Sequence, residues 1–126
     1  MRRLSRDYIQ WVNADIARLE QGFSHLGSGP EQDAQAISAM FAAAHDAKGQ
    51  GSTFGYPLVT RIAGSLCKYL KEQKNSPDVI AAHIDALKAV IAHRLAGDGG
   101  AVGERIAAGL EATTGCEPTA IRDDLP

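Results

Sequence analysis

The chain has 126 residues, with 13 Lys and Arg against 15 Asp and Glu, giving a formal charge of −2 with its four histidines neutral. That length folds as one domain with a radius of gyration of roughly 14 Å, too small for a nucleotide-binding domain plus an accessory domain. The near-neutral balance excludes a phosphate-backbone binder, which needs concentrated positive charge. Hydrophobic residues at 44% and charged residues at 22% describe a folded chain, and the preference for Ala over β-branched residues leans towards helix.

From Ser5 to Leu26, the residues Leu4, Tyr8, Val12, Ile16, Leu19, Phe23 and Leu26 recur at spacings of four and three, one helical stripe. His25, Gly27, Ser28, Gly29 and Pro30 then stop it. A second periodic segment begins near Glu31 and places Ile37, Met40, Ala44 and Ala47 on one side. A third runs from Pro57 through Leu58, Ile62, Leu66, Tyr69 and Leu70 to the polar Lys71-Glu72-Gln73-Lys74-Asn75. Ser76-Pro77-Asp78 opens a fourth, with Ser at the N-cap, Pro in the first turn and an early acid. It carries Ile80, Ile84, Leu87, Ile91 and Leu95. Val102, Ile106 and Leu110 predict a short, weaker helix around Gly103 to Ala112. No strand pattern competes. The expectation is therefore an all-α protein, an antiparallel up-down four-helix bundle with a short C-terminal helix, over a single domain 1–113, with a loose tail over 114–126.

Cys67 and Cys116 have no metal-ligand or disulfide-framework spacing, so free thiols in a reducing cytoplasm are expected. Arg6, Asp7, Asn13 and Asp15 interrupt the segment after Met1-Arg2-Arg3 before an apolar run can form, so no secretory leader is expected. The longest stretches free of charge, such as Ala34 to His45, hold about a dozen residues, short of the roughly 20 that span a bilayer. A soluble, cytoplasmic protein without an anchor is the expectation.

One segment, Ala44-His45-Asp46-Ala47-Lys48-Gly49-Gln50-Gly51-Ser52-Thr53-Phe54-Gly55, departs from the rules the rest obeys. His45 falls well off the apolar face defined by Ile37, Met40, Ala44, Ala47 and Gly51, so its imidazole is expected to face solvent or a partner. Lys48 lies one turn along, close enough for its ammonium to reach an anion held on the ring. Gly49, four residues from His45, leaves the surface beside the imidazole bare. Two glycines in one helix cost about 2 kcal/mol relative to alanine, and propensity alone would end the helix at Gly49. The other reading is that the helix continues and keeps a bare patch for a partner to close over His45.

The pattern His45-x-x-Lys48-Gly49-x-x-x-x-Phe54-Gly55, with Ala44 before the histidine and an amphipathic helix after the second glycine, resembles the histidine-containing phosphotransfer (Hpt) domain of bacterial phosphorelays. Ser52-Thr53-Phe54-Gly55-Tyr56 is similar to the phosphotransfer domain of chemotaxis histidine kinases. The motif resemblance spans Met40 to Leu70, and the helix pattern from Leu4 to Leu95 agrees with the family's four-helix bundle. The resemblance implies a carrier that is not itself an enzyme. His45 would take a phosphoryl group from a receiver aspartate or a kinase and pass it on, with Lys48 stabilising the phosphoryl group and Phe41, Ala42, Gly49 and Ser52 docking the partner. It implies as partners the receiver domain of a response regulator or a hybrid histidine kinase, no nucleic acid, no membrane and a monomeric state. No cofactor is expected in this chain, and Mg²⁺ is expected in the partner receiver.

One departure stands out. Where the chemotaxis kinases carry Ala-His-x-Leu-Glu, whose glutamate orients the phosphorylated imidazole, this chain has Ala63-Gly64-Ser65-Leu66-Cys67. That favours a free-standing relay intermediate over phosphorylation by an attached kinase, and leaves Ser65 and Cys67 as candidate partners of His45. The competing reading is a helical interaction module that binds signalling partners without carrying phosphate. Other features read as structural. His25, His83 and His93 lack metal-site spacing, Trp11 and Phe23 read as packing residues, Gly97-Asp98-Gly99-Gly100 as a turn, and Lys68, Lys71 and Lys74 as a solvated helix end. With so little net charge, shape and small residues around His45 are expected to dominate recognition.

Overall fold

The computed structural model describes residues 2–72, 76–95 and 100–114. These residues form five helices and no strand: α1 Arg2–Ser24, α2 Pro30–Gly51, α3 Pro57–Lys71, α4 Pro77–Ala92 and α5 Gly100–Thr114. Proline opens α2, α3 and α4, where its missing N–H costs nothing and its fixed φ is already helical. The helices form a single bundle. α1 packs on α2 and α4, and α3 packs on α2, α4 and α5. α3 buries nine of its 15 residues and packs against α2, α4 and α5, three of the other four helices.

The apolar stripes expected from the sequence face this core. Tyr8, Val12, Ile16 and Leu19 of α1 are buried, as are Met40, Ala44 and Ala47 of α2, Ile62 and Leu66 of α3, and Ile80, Ile84, Leu87 and Ile91 of α4. Phe23, Leu26 and Ile37 are only partly covered. Trp11 departs from its expected packing role, being 45% exposed, with one edge against Phe54. Its place on α1 points it off the buried stripe.

Two expectations about the second half are corrected. Ser76 occupies the N-cap of α4, but its side chain caps nothing. Its backbone N–H instead donates to the Tyr69 hydroxyl at 3.0 Å, tying the start of α4 to the end of α3. The C-terminal helix is longer than its periodicity predicts, and it is an integral layer. Gly103, Ala107 and Leu110 face inward, and Arg61 of α3 reaches Glu104 at 2.7 Å and Glu111 at 2.8 Å. Those contacts lie more than 40 positions apart in the chain, so no local pattern announces them. Lys74, Gly97-Asp98-Gly99, Cys116 and residues 115–126 lie outside the described residues. No helix among the described residues is long and apolar enough to cross a membrane.

Candidate functional site

α2 runs unbroken past Gly49 to Gly51, so the helix does not end where propensity alone would end it. Two features at its C-terminus account for this. The first is a Schellman closure built on Gly55, which sits at φ 89°, a left-handed conformation that suits glycine. The Tyr56 N–H donates to the Gly51 carbonyl at 2.7 Å and the Gly55 N–H to the Ser52 carbonyl at 3.2 Å, satisfying carbonyls that a helix end leaves open. The Phe54-Gly55 pair is therefore the stop signal of α2. Phe54 anchors it by stacking on Tyr8, with ring centroids 5.1 Å apart, while Tyr8 stacks on Tyr56 at 5.4 Å.

The second feature is Thr60 on α3. Its hydroxyl accepts the Ser52 N–H at 2.8 Å and donates to the Lys48 carbonyl at 2.9 Å. A side-chain oxygen thus stands between a donor and an acceptor that a plain helix would pair directly. Such an approach requires Gly51. A Cβ built there would fall 2.4 Å from Thr60 Oγ1 and 2.8 Å from the Thr60 nitrogen.

On the outer face of this helix His45 is exposed, as its angular position predicts. Its ring lies 6.1 Å from that of Phe41, one turn earlier, tilted by 33°. Asp46 beside it is turned to α1, where Arg18 binds it at 3.0 Å and also holds Asp15 at 3.0 Å. Burial pushes the Asp15 carboxyl above its ordinary value against the pull of Arg18.

Phe41, His45 and Lys48 line one open depression between α2 and α3, floored by Gly64 and Cys67 and rimmed by Lys68, Lys71 and Glu72. Lys48 and Lys71 are exposed, and Lys68 pairs with Glu72 at 2.9 Å. Lys68 and Lys71, which the sequence assigns to a solvated helix end, therefore share a surface with His45. Phe41 and Lys71 also border an adjoining groove lined by Ile37 and Leu70. Ala42 and Gly49 are exposed on α2 but do not line the depression, and nothing lies within 4 Å of where a Gly49 side chain would begin. Ser52 is exposed at the helix end, with its N–H and hydroxyl both engaged by Thr60.

Of the two candidate partners of His45, Ser65 is committed elsewhere. Its hydroxyl lies 2.9 Å from Nε2 of the buried His83, whose Nδ1 faces the Val79 carbonyl at 2.8 Å. Cys67 is on the correct surface but only 5% exposed. Burial pushes its thiol up while the Lys48 ammonium pulls it down. No hydrogen bond holds the His45 ring among the described residues, and no group of three His, Cys, Asp or Glu side chains there could hold a metal ion. Thr60 is the functional candidate that sequence reading missed. A lone threonine in an amphipathic helix carries no signal of the carbonyl it will meet across the bundle.

The sequence model of the Hpt domain matches residues 3–94, about three quarters of the chain. The chain belongs to the Hpt domain family. As an Hpt domain it is a phosphotransfer module of two-component signalling, a class of phosphocarrier that works with response regulators and kinases. The match ends in the segment after α4, so α5 is packed onto the Hpt bundle from beyond the matched region. No curated protein and no solved structure matches this Hpt chain.

Proposed function

We propose that this Hpt domain relays a phosphoryl group through His45, exchanging it with an aspartate of a response-regulator receiver domain or a hybrid histidine kinase. The observation that carries the reading is the exposed His45 imidazole beside Lys48, on a helix that keeps a bare glycine surface within the family-matched segment. In the neutral ring the nitrogen without a proton holds a lone pair in the plane. Its attack on the phosphorus of an aspartyl phosphate forms a P–N bond and breaks the P–O bond to the receiver. The aspartate leaves as carboxylate, and the proton on the other ring nitrogen stays in place. Positioning and charge stabilisation dominate such transfers. Lys48 supplies one cation from this chain, and the receiver's Mg²⁺ would supply more from the partner.

The ring of contacts α1–α2–α3–α4 supports an up-and-down four-helix arrangement as the scaffold. Phe41, Ala42 and Gly49 on α2, with Ser52 just past its end, form the docking surface around His45, and a monomer in the cytoplasm is the form in which such a relay would work. Incubation with a receiver carrying labelled phosphate should transfer acid-labile label to the native chain and none to His45→Gln. Label persisting in His45→Gln would sink the assignment. Complex formation with no label on either chain would favour a binding module that carries no phosphate.

A further inference from the structure

Lys48 is bound by α3 at one point and its side chain runs over the bare position of Gly64, one helical turn on. The Thr60 hydroxyl binds its backbone carbonyl at 2.9 Å. The bare backbone of Gly64 lies beneath its side chain, so that a Cβ at Gly64 would sit 3.7 and 3.8 Å from Lys48 Cδ and Cε. Residues four apart on a helix share a face, so Thr60 and Gly64 form one track beneath the lysine. Gly64 stands where chemotaxis kinases carry a histidine, and the lysine stem crosses the space that such a side chain would fill.

We infer that Thr60 and Gly64 are positioning residues that hold Lys48 across α3, backbone and stem, and so aim its ammonium at the phosphoryl group on His45. The inference rests on the phosphoacceptor reading of His45. Its physical basis is entropy: a lysine side chain is among the most flexible, and a stem laid on a rigid helix reaches its target at lower cost. Thr60 adds a second constraint, fixing the peptide from which the stem departs. Neither residue touches the reacting atoms.

The test uses potassium phosphoramidate, which can phosphorylate a histidine without a protein partner. The phosphoryl group passes from the amide nitrogen to the imidazole and ammonia leaves. Thr60→Val and Gly64→Leu should each slow labelling of His45 by about tenfold. Thr60→Ser, which keeps the hydroxyl, and Gly64→Ala, whose Cβ fits at ordinary contact distance, should label at close to the native rate. In a Lys48→Ala background neither Thr60→Val nor Gly64→Leu should slow labelling further. Native-rate labelling of both variants, or slowing that persists without Lys48, would overturn the inference. Matching thermal melts of Gly64→Leu and Gly64→Ala separate a displaced lysine from a lost fold.

A second readout needs no phosphate. The Ser52 amide, bonded to Thr60, should exchange with solvent about tenfold faster in Thr60→Val and not in Thr60→Ser. Unchanged exchange would overturn the Thr60 arm even where labelling proceeds. Failure of the native chain to label, with Ser52 protected as expected, would instead count against His45 as phosphoacceptor.

Discussion

The His83 imidazole is fully buried between α4 and α3. The Val79 carbonyl can only accept, so Nδ1 carries the proton and Nε2 accepts the Ser65 hydroxyl. The hydrogen-bonding capacity of the neutral ring is thus filled inside the core, and a second proton would add an unscreened charge. Burial accordingly lowers the pKa of His83 below 6.5, with the Val79 bond opposing in part. Its folded-state pKa is depressed, so the unfolded chain takes up the proton first as pH falls. The stability that His83 contributes is fully present above pH 6.5 and is lost as pH drops from there towards the depressed folded value. Unfolding free energies from denaturant titrations, measured from neutrality downward, should show a slope approaching about 1.4 kcal/mol per pH unit, and His83→Gln should flatten it. An identical slope in the variant would assign the acid sensitivity to other groups.

The α2 helix shows how one residue type can serve opposite purposes two positions apart. Gly51 faces inward, where a methyl group would fall 2.8 Å from two backbone atoms, the Thr60 nitrogen and the Tyr56 oxygen. Gly49 faces outward into open space. Gly51→Ala should therefore cost about 1–3 kcal/mol through forced separation of α2 from α3. Gly49→Ala should gain about 1 kcal/mol of helix stability, yet slow transfer from a receiver by placing a methyl group beside His45. Thermal melts with single-turnover transfer assays check both halves. A Gly49→Ala chain that transfers at the native rate would remove the docking role from that surface. The helix itself was legible from its apolar stripe of Ile37, Met40, Ala44 and Ala47, but propensity would end it at Gly49, and the Gly55 closure and Thr60 bonds at its actual end are visible only in the fold.

Across the whole molecule, α5 packs on α3, and Arg61 makes a polar tie between them. Its guanidinium bonds two carboxylates, and the Glu111 side chain is only 15% exposed, which makes this pair less screened than the surface bridges. Arg61→Met should lower stability by about 1–2 kcal/mol, the value of charge-assisted bonds after allowance for the exposed Glu104. A denaturant midpoint shift no larger than that of Lys88→Met, which breaks the exposed Lys88–Glu20 bridge, would show α5 to be held only superficially. Charge is likewise a property of place. A chain of formal charge −2 still gathers Lys48, Lys68 and Lys71 against the single acid Glu72 around the His45 depression, so the local balance of charge and the net balance differ in sign there.

Local rules were enough to read the helices, the outward direction of His45, its spacing to Lys48 and the family, because helical period and motif spacing are written in neighbouring residues. Ser65, by contrast, looked available to His45 until the fold turned it to His83, and Thr60 and Arg61 showed no role at all. Contacts between residues 12 to 50 positions apart depend on how helices cross, and that is set by the packing of whole faces. The sequence alone therefore determined which helices form, that His45 is turned outward and that Lys48 follows it by one turn. Only the tertiary structure decided which residues of α3 come up against Lys48, because that depends on how the two helices cross.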